Sequence, residues 1–230
     1  MNESIKLTNH FWEKDVRVHQ YIDKLVDGKK LIVDVGCGKN YFHKAHELID
    51  HNYVETDKIF HQLDITVDKL PYENKQVDFL YCKHTLEDIE NPRWLLSEIN
   101  RVAKAGYIET PSPLIEITRG ADAGWQPWRG YYHHRSIIWS DGKKLTLVPK
   151  YPVIELLNFP DIDIAKILSE SVNFWNTYYF WENDLNYEFP FIFGYGSENY
   201  NEVIDYGNLL IDGTKTCIHY NQELLAKLIM

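Results

Sequence analysis

The sequence predicts an α/β protein built on a nucleotide-binding unit, and two stretches carry that expectation. Residues 31–40 read Leu-Ile-Val-Asp-Val-Gly-Cys-Gly-Lys-Asn. The run through Val35 is apolar and β-branched apart from Asp34, which suits a strand buried on both faces. Gly36 and Gly38 then let the backbone turn sharply and approach a ligand with no Cβ in the way. Helical spacing over 41–49 would complete the front of a βα unit. The second stretch is 79–109: a short apolar strand at 79–83, a helix capped by Asn91-Pro92 and running to about Lys104, then a strand at 107–109.

Composition bounds the rest. At 230 residues the chain can bury a real core. A net charge of −10 disfavours nucleic-acid backbones as partners and supplies no polybasic membrane anchor. The three cysteines, Cys37, Cys82 and Cys217, are scattered, which argues against a disulfide framework and against a structural zinc site. No apolar run approaches a membrane span, and the first residues show no signal-peptide pattern, so a reducing cytoplasm is expected.

In chain order, apolar residues at Val18, Ile22 and Leu25 predict a helix over 11–26, stopped by Asp27-Gly28. A short second strand is expected at 53–56, ending at Asp57. In this type of fold an acidic residue there accepts hydrogen bonds from ribose hydroxyls; Glu55 competes for the role, and the alternative is a turn or capping aspartate. Residues 62–66 form a small polar unit around Asp64 and Ile65.

The dinucleotide fingerprint is incomplete, since Tyr41 stands where its third glycine would be. The segment instead resembles motif I of the class I S-adenosylmethionine-dependent methyltransferases, with Asn40 where that motif usually has a third glycine. Further motifs follow in order: Leu-Pro-Tyr at 70–72, Val-Asp-Phe-Leu-Tyr-Cys-Lys-His at 77–84, Leu-Glu-Asp-Ile-Glu-Asn-Pro at 86–92, Glu-Ile-Asn-Arg-Val-Ala-Lys at 98–104 and Tyr-Ile-Glu-Thr-Pro-Ser-Pro at 107–113. This series is similar to the ubiquinone/menaquinone-type group of small-molecule methyltransferases. Ala105-Gly106 replaces that group's longer Pro-Gly-Gly turn.

The resemblance implies a Rossmann-like, seven-stranded, mostly parallel sheet with helices on both faces and an antiparallel edge. It implies S-adenosylmethionine as cofactor, bound at the carboxyl ends of the strands by Asp34, Gly36, Cys37, Gly38 and Asp57. Asp64 and Ile65 would meet the adenine, and Lys83 and His84 the methionine end.

Residues 1–113 are thus expected to form the cofactor-binding core. Residues 114–230 would supply a substrate lid, a hairpin and the completion of the same domain. The stretch 119–135 is rich in glycine, aromatics, arginine and histidine and has no clear period. Long irregular loops of this kind are commonly functional, and the aromatic content argues for order. We expect Glu87, Arg119, Trp125, Trp128, Arg129 and Arg135 to bind the substrate. An aromatic-packed insertion or a dimer contact is the alternative. His133 and His134 are the candidate catalytic bases, with Glu87 and Asp88 as alternatives. No metal site is expected.

A hairpin is predicted over 136–149 around Asp141-Gly142. A helix is expected over 160–175, a second strand pair at 178–181 and 187–194, and a terminal helix at 221–230; 203–211 stays open. Together these point to O-methylation of a sugar, glycan precursor or similar small acceptor, without nucleic acid or membrane. A homodimer is permitted. A non-catalytic cofactor-binding scaffold and, less well matched, a nicotinamide-dependent oxidoreductase are the competing functions.

Overall fold

The computed structural model describes residues 15–119, 121, 127–159, 174–190 and 200–228. Its centre is a six-stranded sheet in the order β3-β2-β1-β4-β5-β8. Strands β1 (Ile32–Val35), β2 (Glu47–Asp50), β3 (Ile59–Gln62), β4 (Phe79–Lys83) and β5 (Ala105–Pro111) are parallel, and β8 (Asn176–Glu182) closes the edge antiparallel to β5. The described sheet therefore has six strands rather than the seven expected. A second sheet, β6-β7-β9, joins the hairpin β6 (Ser136–Ser140) and β7 (Leu145–Pro149) to β9 (Tyr187–Glu188).

Side chains alternate across the central sheet, as a period of two requires. Ile32, Phe79, Tyr81 and Tyr107 face α1 (Val16–Leu25) and Leu225 of the last helix. Val33, Leu80, Cys82 and Ile108 face α2 (Pro92–Val102) and the hairpin residues Ile138, Leu145 and Leu147. Asn91 caps α2 by accepting from the Trp94 amide, and Pro92 fills its first turn. The helix stops at Val102, and Gly106 lies inside β5, not in a turn. A Cβ there would come within 2.3 Å of the Trp181 ring.

Three sequence expectations fail for one reason: burial and pairing override local pattern. Residues 41–49 are not helical. Leu48 and Ile49 are fully buried and pair with Asp34 and Val35, while the His46 amide donates to Ile32 O at 2.8 Å. The second strand is thus Glu47–Asp50, and 53–56 is irregular. The aromatic stretches near 180 and 188 do not pair with each other; β8 joins β5 and β9 joins β7.

The chain ends in one helix, α4 (Tyr200–Leu228), which absorbs both 203–211 and the expected terminal helix. Gly213 lets the helix approach Trp139, whose ring lies 2.8 Å from where a Cβ would stand. Asn221 Nδ2 anchors the helix to Asn176 O at 2.7 Å. Between α2 and α4 lie a short helix, α3 (Pro113–Ile117), and a 3₁₀ turn, Pro152–Leu156. The helix expected over 160–175 falls largely outside the described residues. Among the described residues no helix is long and apolar enough to cross a membrane.

Candidate functional site

The carboxyl ends of β1 and β4 open into a cleft of about 600 Å³ lined by Asp34, Gly36, Cys37, Gly38, Tyr41, Tyr81, Lys83 and His84, among others. Asp34 is buried, and its Oδ2 accepts the Phe42 amide at 2.7 Å, which curls the loop over the strand end. Gly36 and Gly38 both have left-handed backbones, with φ of +70° and +52°. A Cβ on Gly36 would collide with the Thr85 side chain, whereas one on Gly38 would meet nothing within 4 Å. Gly38 thus leaves open space that a ligand can use. Cys37 is buried and its pKa is pushed up to about 12 by burial and by Asp34 and Asp50, so it stays a thiol.

Asp57 does not reach this cleft. It is exposed and precedes β3, at the amino end of a parallel strand, on the opposite rim. Asp50, the last residue of β2, stands where the ribose-binding carboxylate was expected. Its Oδ2 accepts the Gly38 amide at 2.9 Å and its Oδ1 the Asn52 amide at 2.9 Å. Each oxygen keeps a lone pair for a hydroxyl donor. The different position of β2 puts Asp50, and not Asp57, at the carboxyl end of that strand.

Asp64 and Ile65 do follow β3 on the correct rim. Asp64 Oδ1 is engaged by the Thr66 amide at 3.0 Å and its hydroxyl at 2.6 Å, and these bonds hold its pKa below the usual range. Ile65 is buried in the core cluster with Leu95 and Leu96, so it supports the rim from beneath.

Register builds the polar end of the cleft. Lys83 and Glu109 are direct partners on β4 and β5, and Lys83 Nζ lies 2.8 Å from Glu109 Oε1. The Tyr107 hydroxyl donates to the other Glu109 oxygen. His84, with a left-handed φ of +49°, sits between two carboxylates: Nε2 is 3.3 Å from Glu109 Oε1 and Nδ1 is 3.3 Å from Glu87 Oε1. Burial disfavours the imidazolium, but Glu109 and Glu87 outweigh it and raise the His84 pKa to about 9. Burial likewise works against the Glu109 carboxylate, yet His84 and Lys83 hold its pKa well below the usual range. Sequence reasoning missed Glu109; a charge inside an otherwise apolar strand was the available signal.

A second polar cluster adjoins the first through Glu87, whose carbonyl accepts the Arg135 amide at 2.6 Å. Glu87 is 2 % exposed, and its Oε2 has no hydrogen-bond partner among the described residues. His134 is buried; its Nδ1 is 2.6 Å from Glu116 Oε1, while Lys150 Nζ is 2.6 Å from Glu116 Oε2. Burial lowers the His134 pKa, but Glu116 more than offsets this and raises it. His133 is exposed. The Nε2 atoms of His133 and His134 each lie 3.7 Å from Asp88 Oδ1. Glu116 and Lys150 were not anticipated, because α3 and the end of β7 meet only in the folded chain.

The arginines divide differently from expectation. Arg119 donates to Glu155 Oε2 at 2.9 Å and to Glu155 O at 2.7 Å. Arg129 donates to Ile117 O and to Leu157 O, and its guanidinium lies 4.7 Å from the Phe159 ring centre. Arg119 is thus tied to Glu155 in the 3₁₀ turn and Arg129 to the carbonyls of Ile117 and Leu157, so both guanidiniums are engaged with protein atoms. Arg135 stays exposed, its Nη2 3.4 Å from Glu90. The Trp128 indole packs edge-on to Tyr132, and its Nε1 is buried with no partner among the described residues. Trp125 lies outside the described residues.

Residues 33–108 match the family model for a methyltransferase domain. No curated protein sequence matches the chain. Among solved structures, the chain is similar to an S-adenosylmethionine-dependent methyltransferase from Archaeoglobus fulgidus, at 23% identity over 42% of this chain and 51% of that one, with a TM-score of 0.36. It is similar to another from Mesorhizobium loti at 20% identity, over 37% of this chain and 48% of that one, TM-score 0.32. A third, from Aquifex aeolicus, gives 19% identity over 47% and 66%, TM-score 0.31. The chain thus spans about half to two thirds of the length of these structures.

Proposed function

We propose that this chain, whose residues 33–108 match a methyltransferase domain, is an S-adenosylmethionine-dependent methyltransferase that acts on a hydroxyl of a small polar acceptor such as a sugar or glycan precursor. The carrying observation is the cleft that brings the glycine cradle together with Lys83 and His84, the latter leading through Glu87 to the cluster around His134.

The residues present fit the cofactor. Gly38 leaves open space beside the loop, and Asp50 has lone pairs free for ribose hydroxyls. Asp34 shapes the loop, while Lys83, His84 and Glu109 supply charged groups for a zwitterionic amino-acid end. When bound, S-adenosylmethionine supplies an electrophilic methyl group. The protein's task is then to align a nucleophile and exclude water.

On the acceptor side, Glu116 accepts from His134 Nδ1 and leaves Nε2 on the side of Asp88. That arrangement stabilises the imidazolium formed when Nε2 takes a hydroxyl proton. Arg135, which is exposed, offers a charged donor to a polar acceptor. Such a protein works without a membrane or nucleic acid, in the cytoplasm, as a monomer or a homodimer.

Calorimetry with S-adenosylhomocysteine, with NADH for comparison, tests the cofactor. Micromolar binding (about −8 kcal/mol) of the first alone supports the proposal. Absence of binding by the folded chain favours a scaffold. Methyl transfer to nucleotide sugars or glycans that survives His133→Ala/His134→Ala would remove the base assignment.

A further inference from the structure

We propose that Asp88, His133 and His134, in the cluster that adjoins the cleft through Glu87, form a binding site for a divalent first-row cation. The three side chains place one ligand atom each within 4.8 Å of one another. Both histidine Nε2 atoms stand 3.7 Å from Asp88 Oδ1. That is too far for a hydrogen bond. Ligands about 2.1 Å from one ion stand ~3.0–3.4 Å apart at octahedral or tetrahedral angles. The two distances to Asp88 exceed that range by a few tenths of an ångström, and rotation of the exposed His133 and Asp88 side chains is the movement that would gather the three atoms around one ion.

Two further features favour an ion there. First, His134 carries the outer support that metal-ligating histidines have: Glu116 Oε1 is 2.6 Å from Nδ1, which fixes the ring and presents Nε2 to the site. Glu116 is itself held by Lys150 Nζ at 2.6 Å. Second, the rings are oriented by packing. Tyr131 stacks on His134 at 4.8 Å, and the two histidine rings stand 80° apart, so their Nε2 atoms approach Asp88 from different directions. Glu87, buried one residue away in sequence, adds a negative charge to the neighbourhood. Two imidazoles and one carboxylate suit zinc, manganese, cobalt or iron(II) and leave open coordination positions.

The acceptor chemistry deepens the methyltransferase reading and rests on it. An ion at this place takes the hydroxyl oxygen of an acceptor as a ligand and lowers its pKa, so the proton leaves to solvent or to Glu87. His134 then positions the ion in place of taking the proton itself. The open positions favour an acceptor with two adjacent oxygens, a vicinal diol or a hydroxy-carboxylate.

The test is titration of the tag-free full chain with Co²⁺, followed by calorimetry and by visible absorption. Binding of one ion with nitrogen-ligand absorption, weakened at least tenfold in Asp88→Asn and in His133→Ala, supports the site. Both are exposed positions, so these variants keep the fold. Glu116→Gln is expected to weaken binding about tenfold to hundredfold, with melting temperature recorded alongside. Absence of Co²⁺ binding, or equal binding in both ligand variants, overturns the inference. S-adenosylhomocysteine titrated into the same samples separates the two ideas. Homocysteine-analogue binding without Co²⁺ binding defeats the cation site alone; the reverse leaves the cation site standing and defeats the methyltransferase reading.

Discussion

The Gly38 amide donates to Asp50 Oδ2 at 2.9 Å, joining the loop after β1 to the last residue of β2. This bond places a carboxylate beside the glycine cradle and orients it before any ligand arrives. Asp50→Ala is expected to weaken S-adenosylhomocysteine binding by about 1.5–3 kcal/mol, the range for hydrogen bonds to a charged group. Asp57→Ala, on the opposite rim, is expected to leave affinity within twofold. Calorimetry of the two variants side by side checks the assignment, and the reverse order would return the role to Asp57.

The two glycines of the cradle should fail differently. Alanine at Gly36 meets the Thr85 hydroxyl at 2.2 Å and must also hold a φ of +70°. Overpacking and strain together are expected to cost on the order of 3 kcal/mol of stability. Alanine at Gly38 meets only open space and bears only the backbone strain, about 1–2 kcal/mol. Gly38→Ala should therefore stay folded while its methyl group occupies cofactor space. Urea denaturation and ligand titration of both variants distinguish loss of fold from loss of binding.

His84 gives the fold a pH dependence in the alkaline range. Its folded pKa, about 9, lies above the ordinary value of 6.5 because Glu109 and Glu87 outweigh burial. A raised pKa contributes stability that is complete below 6.5 and is lost as pH rises through 9. Lys83 also faces Glu109, so the ion pair is not removed entirely when His84 loses its proton. The melting temperature of the wild type should fall between pH 6.5 and 9 more than that of His84→Gln. Parallel curves for the two proteins would show that the imidazolium adds nothing.

Arg129→Ala is expected to cost about 1–3 kcal/mol, because the carbonyls of Ile117 and Leu157 lose their charged donor. Acceptor KM should change less than stability does. A large rise in KM with an unchanged melting temperature would restore Arg129 to the substrate site.

Much of this architecture was legible in the residues. The Asp34–Gly36–Gly38 turn, the Asn91–Pro92 cap and the hairpin turn at Asp141-Gly142 are local chemistry, and each occurs where the sequence predicts it. The short strand β2 was not legible, since Leu48 and Ile49 satisfy a helical spacing as readily as a strand. The neighbouring β1 decides the matter by pairing with them. The engagement of Arg119 by Glu155 and of Arg129 by two carbonyls was not legible for the same reason: a free guanidinium and a paired one look identical in a sequence.

The sequence by itself determined the glycine turn after β1, the cap of α2 and the hairpin turn, because each depends on residues within a few positions of one another. Only the tertiary structure decided which carboxylates stand in the two polar clusters and beside the glycine turn. Asp50 enters through the register of β2, Glu109 through its pairing with Lys83, and Glu116 through the approach of α3 to His134 and Lys150. Glu116 is held by partners 18 and 34 residues away, so its role follows from packing and not from local pattern.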